Sequence, residues 1–313
     1  MRASPIFLRP PHLLLAGWLC AAALGCSPKR MALKATADAL SSQSGPVARD
    51  DDPELVHEAT PFALMTMESL ADELEDHIGL RIALASGFSQ YAYAFVQEEA
   101  DEVADSAPAK AKALRARALR LYLRARDYGF AGMRLAHGIT PEQLGGTDEV
   151  REKALRQIGK DEVSLLYWTL VPWASAISLN KRDLELVGDV PAIAALLDRA
   201  LALDESYGSG ALHEFALAFD SARPSGTTPE AQKKHYQRAA ELQKGMKISA
   251  LVSYAENVLA PAQDKKAFEK VLREALSFDV DALPARDFRL ANLIAQRRAR
   301  YLLAHESDLI SVD

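Results

Sequence analysis

Leu121-Tyr122-Leu123-Arg124-Ala125-Arg126-Asp127-Tyr128 returns in altered form as Leu196-Leu197-Asp198-Arg199-Ala200-Leu201-Ala202-Leu203. It returns again as His235-Tyr236-Gln237-Arg238-Ala239-Ala240-Glu241-Leu242 and Val271-Leu272-Arg273-Glu274-Ala275-Leu276-Ser277-Phe278. The aligned alanines stand at 125, 200, 239 and 275, in steps of 75, 39 and 36 residues, the first step being two periods. Around these strings the chain has almost no alternating strand pattern and about a dozen segments of helical period. A unit of two helices, repeated, is the expected architecture.

A period in the upper thirties is close to the roughly 34 residues of a tetratricopeptide repeat (TPR), and a small alanine in the second helix lets neighbouring helices approach. The expected fold class is all-α: a TPR-like helical-repeat (α-solenoid) domain of four to five degenerate repeats over residues 50–313. The alternative is a general bundle whose Ala/Leu amphipathic helices resemble one another. Helix starts are marked by Asp52-Pro53, Pro141-Glu142, Asp161-Glu162, Pro191, Pro229-Glu230 and Asp264, and ends by Gly79, Gly129, Gly188, Gly208 and Gly245. Composition agrees: the 313 residues are 49% hydrophobic but only 7% aromatic, an Ala/Leu bias that favours helices over a sandwich or barrel. Two cysteines are too few for a disulfide framework or a four-cysteine zinc site, and a net charge of -6 gives no attraction to nucleic acid.

The first 25 residues read as a signal peptide: Arg2, Arg9 and His12 without an acid, then an apolar run from Leu13 to Leu24. At about 1.5 Å per residue that run is too short to span some 30 Å of hydrocarbon. Ala23-Leu24-Gly25-Cys26 resembles a bacterial lipobox, with Leu at the second residue before the cysteine instead of the usual third. Cys26 is then the acylated mature N-terminus on a lipid bilayer, and Ser27 after it points to the outer membrane more than the inner. An ordinary secretory signal cleaved after Ala23 or Gly25 is the alternative. Cleavage removes Arg2 and Arg9, taking the formal charge from -6 to -8, and acylation leaves no free thiol. Residues 26–49 are expected as a tether with a short helix.

Four stretches resemble the T-component family of tripartite ATP-independent periplasmic (TRAP) transporters. They are Asp50-Asp51-Asp52-Pro53-Glu54-Leu55, Ser86-Gly87-Phe88-Ser89-Gln90-Tyr91-Ala92-Tyr93-Ala94-Phe95-Val96-Gln97, Leu121 to Gly129, and Leu290-Ala291-Asn292-Leu293-Ile294-Ala295-Gln296-Arg297-Arg298-Ala299-Arg300. A fifth, Leu166-Tyr167-Trp168-Thr169, matches in part, and Leu170-Val171-Pro172 then departs from the family's small residues. The resemblance implies a periplasm-facing, non-enzymatic helical-repeat lipoprotein. It also implies a homotrimer with a lumen that docks an extracytoplasmic solute-binding protein serving a TRAP permease.

The residues themselves carry little catalytic chemistry. There is no nucleophile elbow or phosphate-binding glycine pattern, and Tyr207-Gly208-Ser209-Gly210 reads as an interhelix turn. His213-Glu214 begins like a zinc-protease motif, but Leu217 stands where the second histidine belongs, so no metal or other cofactor is expected. The acids Glu98, Glu99, Asp101 and Glu102 read as a solvated helix end. Leu80 to Val96 is apolar nearly all round yet carries Ser86, Gln90, Tyr91 and Tyr93, with Gln97 just beyond, and polar atoms in such a helix need hydrogen bonds or a wet cavity. These five, with Tyr167, Trp168 and Trp173 as a second wall, are the candidate ligand-lumen residues; satisfied aromatic packing is the alternative for each. Arg124, Arg126, Arg297 and Arg298 are candidate polar or docking residues. Arg117, Arg120 and Arg124 share a helix face suited to a polyanion or lipid headgroup, or to ion pairs between repeats. A scaffold lipoprotein for envelope or outer-membrane assembly is the second functional reading, and an enzyme the third.

Overall fold

The computed structural model describes residues 28–42, 45–222 and 227–311, and no strand occurs among them. Cys26 and the expected signal segment lie outside the described residues. The stretch expected as a tether holds helix α1 (Pro28–Leu40) and a 3-10 turn (Pro46–Arg49). Ala37 of α1 is fully buried, Arg30 reaches Asp76 at 2.9 Å, and the Asp38 carboxylate lies 3.1 Å from His77 Nε2. Helix α2 (Pro53–Glu73) begins where the sequence places it, with the Asp52 side chain accepting from the Glu54 and Leu55 amides. Those first-turn amides have no partner within the helix, so the cap is what satisfies them.

Helix α3 (Ile78–Tyr91) continues through a π-helical turn (Ala92–Gln97) into α4 (Glu98–Glu102). The 30-residue α5 (Pro108–His137) comes next and packs along α3. After the short α6 (Pro141–Leu144) and α7 (Asp148–Leu155), α8 (Val163–Leu179) lies along α5 and also meets α3. Helix α8 contains no charged residue and buries Leu165, Leu166, Leu170 and Trp173, as an element covered on several sides must. The chain then steps through α9 (Leu184–Gly188), α10 (Val190–Asp204), α11 (Tyr207–Ala222), α12 (Pro229–Gln243) and α13 (Ser249–Tyr254). A second π turn (Ala255–Leu259) succeeds them, and α14 (Lys265–Leu276), a 3-10 turn (Ala285–Phe288), α15 (Arg289–Ala304) and α16 (Glu306–Leu309) complete the series.

Alanines 125, 200, 239 and 275, aligned by the repeat, sit in α5, α10, α12 and α14, and all four are fully buried. Each marks a helix seam where a larger side chain would hold the neighbour away. Successive apolar clusters form along the chain, and α15 ties the last to the first: Ala295, Ala299 and Leu302 pack with the C-terminal helices, whereas Ile294 joins Leu84, Phe88 and Phe95 of the N-terminal ones. Helix α15 also meets α2 and the 46–49 turn. The two ends of the helical series therefore close on one another.

Three expected helix ends are placed differently. Gly129 lies in the interior of α5, buried, because its missing side chain lets α8 come close: a Cβ there would stand 2.6 Å from Thr169 Oγ1 and 2.9 Å from its Cα. Gly79 is in the first turn of α3 rather than after α2. Helix α10 ends at Asp204, ahead of Gly208, and Gly208, Ser209 and Gly210 make the expected interhelix turn with φ of 58°, 56° and 86°. The close approach at Gly129 sets a test. Gly129→Ala must push a backbone rather than a flexible chain end, so it is expected to lower unfolding stability by about 1–3 kcal/mol in chemical denaturation, despite alanine's better helix propensity.

Candidate functional site

A π turn adds one residue to a helical turn and re-aims the side chains beyond it, and such turns gather at functional sites. Both π turns of this chain supply one cluster: Tyr93 and Gln97 come from the first, Glu256 from the second. Arg298 of α15 lies between them. Its Nη1 donates to Asp101 Oδ2 at 2.9 Å, its Nε donates to Glu256 Oε2 at 3.2 Å, and its Nη2 makes a further short bond to Glu256 Oε1. Asp101 is shared with Arg115 at 2.9 Å, and Arg297 grips Glu102 through Nε and Nη2 at 2.6 and 2.5 Å.

Glu98 is the surplus acid of this cluster. It is 1% exposed, its Oε1 lies 3.5 Å from Arg298 Nη1, and neither carboxylate oxygen has a hydrogen-bond partner among the described residues. Burial pushes its pKa from 4.5 up to about 7; Arg298 opposes the shift, and the Glu256 and Asp101 charges add to it. Its neighbour Arg298 stays firmly charged: burial works against the charge, but the hydrogen bond to Glu256 and the surrounding acids outweigh it. The expectation that these acids form a solvated helix end is therefore corrected for Glu98, because α15 folds over it.

Tyr93 remains 42% exposed, yet burial among dense surroundings, reinforced by Glu98 and Glu256, pushes its hydroxyl well above the usual range. Gln97 Oε1 accepts from the Tyr122 hydroxyl at 2.8 Å. Ser86 is buried and bonded by Gln90 Nε2 at 2.7 Å, while Gln90 itself is exposed.

Other candidates lie apart. Tyr91 is buried against His57 and Phe95, its hydroxyl accepting from Arg117 at 3.3 Å. Trp173 is a core residue: Phe130 meets it edge-on at 4.8 Å and Nε1 donates to Asp189 at 3.0 Å. Tyr167 contacts Trp168 and Tyr207, with ring centroids 4.8 and 5.4 Å away, and the buried Trp168 Nε1 has no hydrogen-bond partner among the described residues. Arg124 pairs with Glu68 and Arg126 with Asp127. His213, of the partial zinc-protease motif, is buried with its Nδ1 2.9 Å from His235 Nδ1 and its Nε2 3.2 Å from Glu205. Sequence reasoning missed Tyr122 and Glu256 and read Glu98 as solvated; the signal for its burial is its position directly after a segment apolar nearly all round.

The fold and this cluster define an all-α protein whose terminal helices are locked together by a partly buried ionic cluster. No helix among the described residues is long and apolar enough to cross a membrane. Residues 49–310 match the family model of the TRAP transporter T-component, and the chain belongs to that family, an accessory component of TRAP transporters rather than a known enzyme family. A relative from Treponema pallidum (strain Nichols), described as an uncharacterized protein, is 27% identical over 306 residues, covering 92% of this chain and 94% of its own.

The native state keeps a proton on Glu98 that the unfolded chain releases above its ordinary value of 4.5, so this residue makes stability fall as pH rises from about 4.5 to about 7. The loss is at most about 3 kcal/mol. Glu98→Gln, isosteric and uncharged, is expected to remove most of that fall: denaturation midpoints at pH 5 and pH 8 should converge, with the variant matching the parent at pH 5 and exceeding it at pH 8.

Proposed function

We propose that this protein is a non-enzymatic, lipid-anchored, periplasm-facing accessory subunit of a TRAP-type solute importer. It docks the extracytoplasmic solute-binding protein and hands an organic-acid or hydrophobic ligand along a lumen. The single observation that carries this reading is the family match over residues 49–310. In this reading Cys26 is acylated, residues 50–313 form one TPR-like domain, and the anchor is in the outer membrane. Tyr93 and Gln97, with Gln90 and Ser86 one and two turns before Tyr93, form the ligand-facing wall, and the Glu98–Arg298 cluster forms its polar end. The exposure of Tyr93, 42% in a helix whose neighbouring residues are buried, supports that assignment.

A homotrimer is part of the same reading, and α2 offers a face for it. Leu55, Phe62 and Met65 are 56%, 78% and 66% exposed. Their spacing puts them along one side of the helix, and an apolar stripe of this kind is normally covered by a partner.

Affinity purification from envelope extracts under mild detergent is expected to recover a solute-binding protein and a TRAP permease; recovery of neither would count heavily against the assignment. Light scattering on the purified protein is expected to give three copies per particle, and Phe62→Asp to give one, without loss of helical circular dichroism because the ring is exposed in the single chain. A parent that is already monomeric would remove the trimer from the reading.

A further inference from the structure

A hollow of about 440 Å³ opens between α3 and α5 on the side of Arg81 and Arg120, with Leu123, Arg124, Asp127 and Tyr128 also lining it. Its charges do not balance. Arg124 is matched by Glu68, which also accepts from the Tyr128 hydroxyl at 2.6 Å, and Asp127 is matched by Arg126 at 2.8 Å. That accounts for the carboxylates. Arg120 is exposed and has no ion pair or hydrogen bond among the described residues, although it lies one helical turn from both Arg117 and Arg124. Arg81, on the facing helix, gives Nη2 to the Ala71 and Glu75 carbonyls at 3.0 and 3.3 Å, and its Nε is buried without a partner.

Arg81 and Arg120 therefore bring two positive charges without a carboxylate to this hollow, and Arg120 is one turn from the positive Arg117 as well. A guanidinium is matched by the oxygens of a carboxylate or phosphate. Leu123 and the Tyr128 ring give the hollow an apolar side, so it suits a small molecule with an oxyanion head and an apolar body. We infer that this hollow, with Arg81 and Arg120 as its principal donors, is a binding site for an oxyanion group. It is distinct from the Tyr93 wall and does not depend on the ligand assigned there.

The oxyanion has two sources: a free phosphate-type anion, or the headgroup of a lipid. The second is within reach, because α1 starts two residues after Cys26 and its Arg30 is paired with Asp76, close before Arg81. Titration calorimetry on the purified full chain separates them, with inorganic phosphate as one probe and monomeric dihexanoyl phosphatidylglycerol as the other. One site per chain is expected for at least one probe, weakened roughly tenfold by Arg120→Ala, which removes an exposed side chain and leaves the fold intact. Arg81→Gln is expected to weaken it likewise. Binding of phosphate alone assigns a free anion, and preference for the lipid assigns a headgroup. If neither probe binds with a Kd below about 1 mM, or if Arg120→Ala binds as the parent does, the site is overturned.

Discussion

Arg298 holds the molecule shut. It brings α15 against α4 and the second π turn, across 197 positions of sequence in its contact with Asp101, and engages three carboxylates from a position only 11% exposed. Removing two charges from water is expensive, and the attraction between them offsets this only when hydrogen bonds accompany it. Here they do for Asp101 and Glu256 but not for Glu98, which is why a single acid carries a raised pKa while the seam as a whole stays ionic. An open helical series would leave Ile294 and the N-terminal helix faces in water; the ionic seam and the apolar packing beneath it are made together.

Close helix approach is the second constraint. Along α5, Ala118, Ala125, Gly129 and Gly132 are buried, and a side chain added at Gly132 would stand 2.8 Å from Leu165 Cδ1. The long helix can thus be covered closely by α3 and α8, which also meet each other, while Arg117, Arg124 and Arg126 remain at the margins over the rings of Tyr91, Phe88 and Phe130. Charged heads at the edge and small residues at the centre are how one helix serves both as a core element and as part of the surface.

Much of this is legible in the chain because it is local or periodic. The caps at Asp52, Thr228 and Asp264 accept from the first-turn amides, and the four aligned alanines are at packed seams, since short-range hydrogen bonding and repeat stacking depend on neighbours in sequence. Gly129 misleads because a glycine that ends a helix and one that admits a neighbouring helix look alike until α8 is in place. Glu98 misleads because its environment comes from Arg298 and Glu256, far along the chain. Trp173 groups with Tyr167 and Trp168 by sequence, but it points into the core toward Phe130 and Asp189, an orientation that helical spacing alone does not settle.

The π turn at Ala92–Gln97 has a further meaning for how such a chain changes over time. One surplus residue in a helical turn rotates every later residue of the helix by about 100° about the axis. Glu98 and Asp101 therefore owe their inward aim to a shift of phase as well as to their identities. Ordinary pitch at the present length would swing those carboxylates out of the seam without altering a single charged side chain, whereas loss of one residue between Tyr91 and Glu98 together with the π turn would leave them aimed as they are. The chemistry of this protein is thus written partly in the pitch of a helix, where comparison of residue types position by position would pass over it.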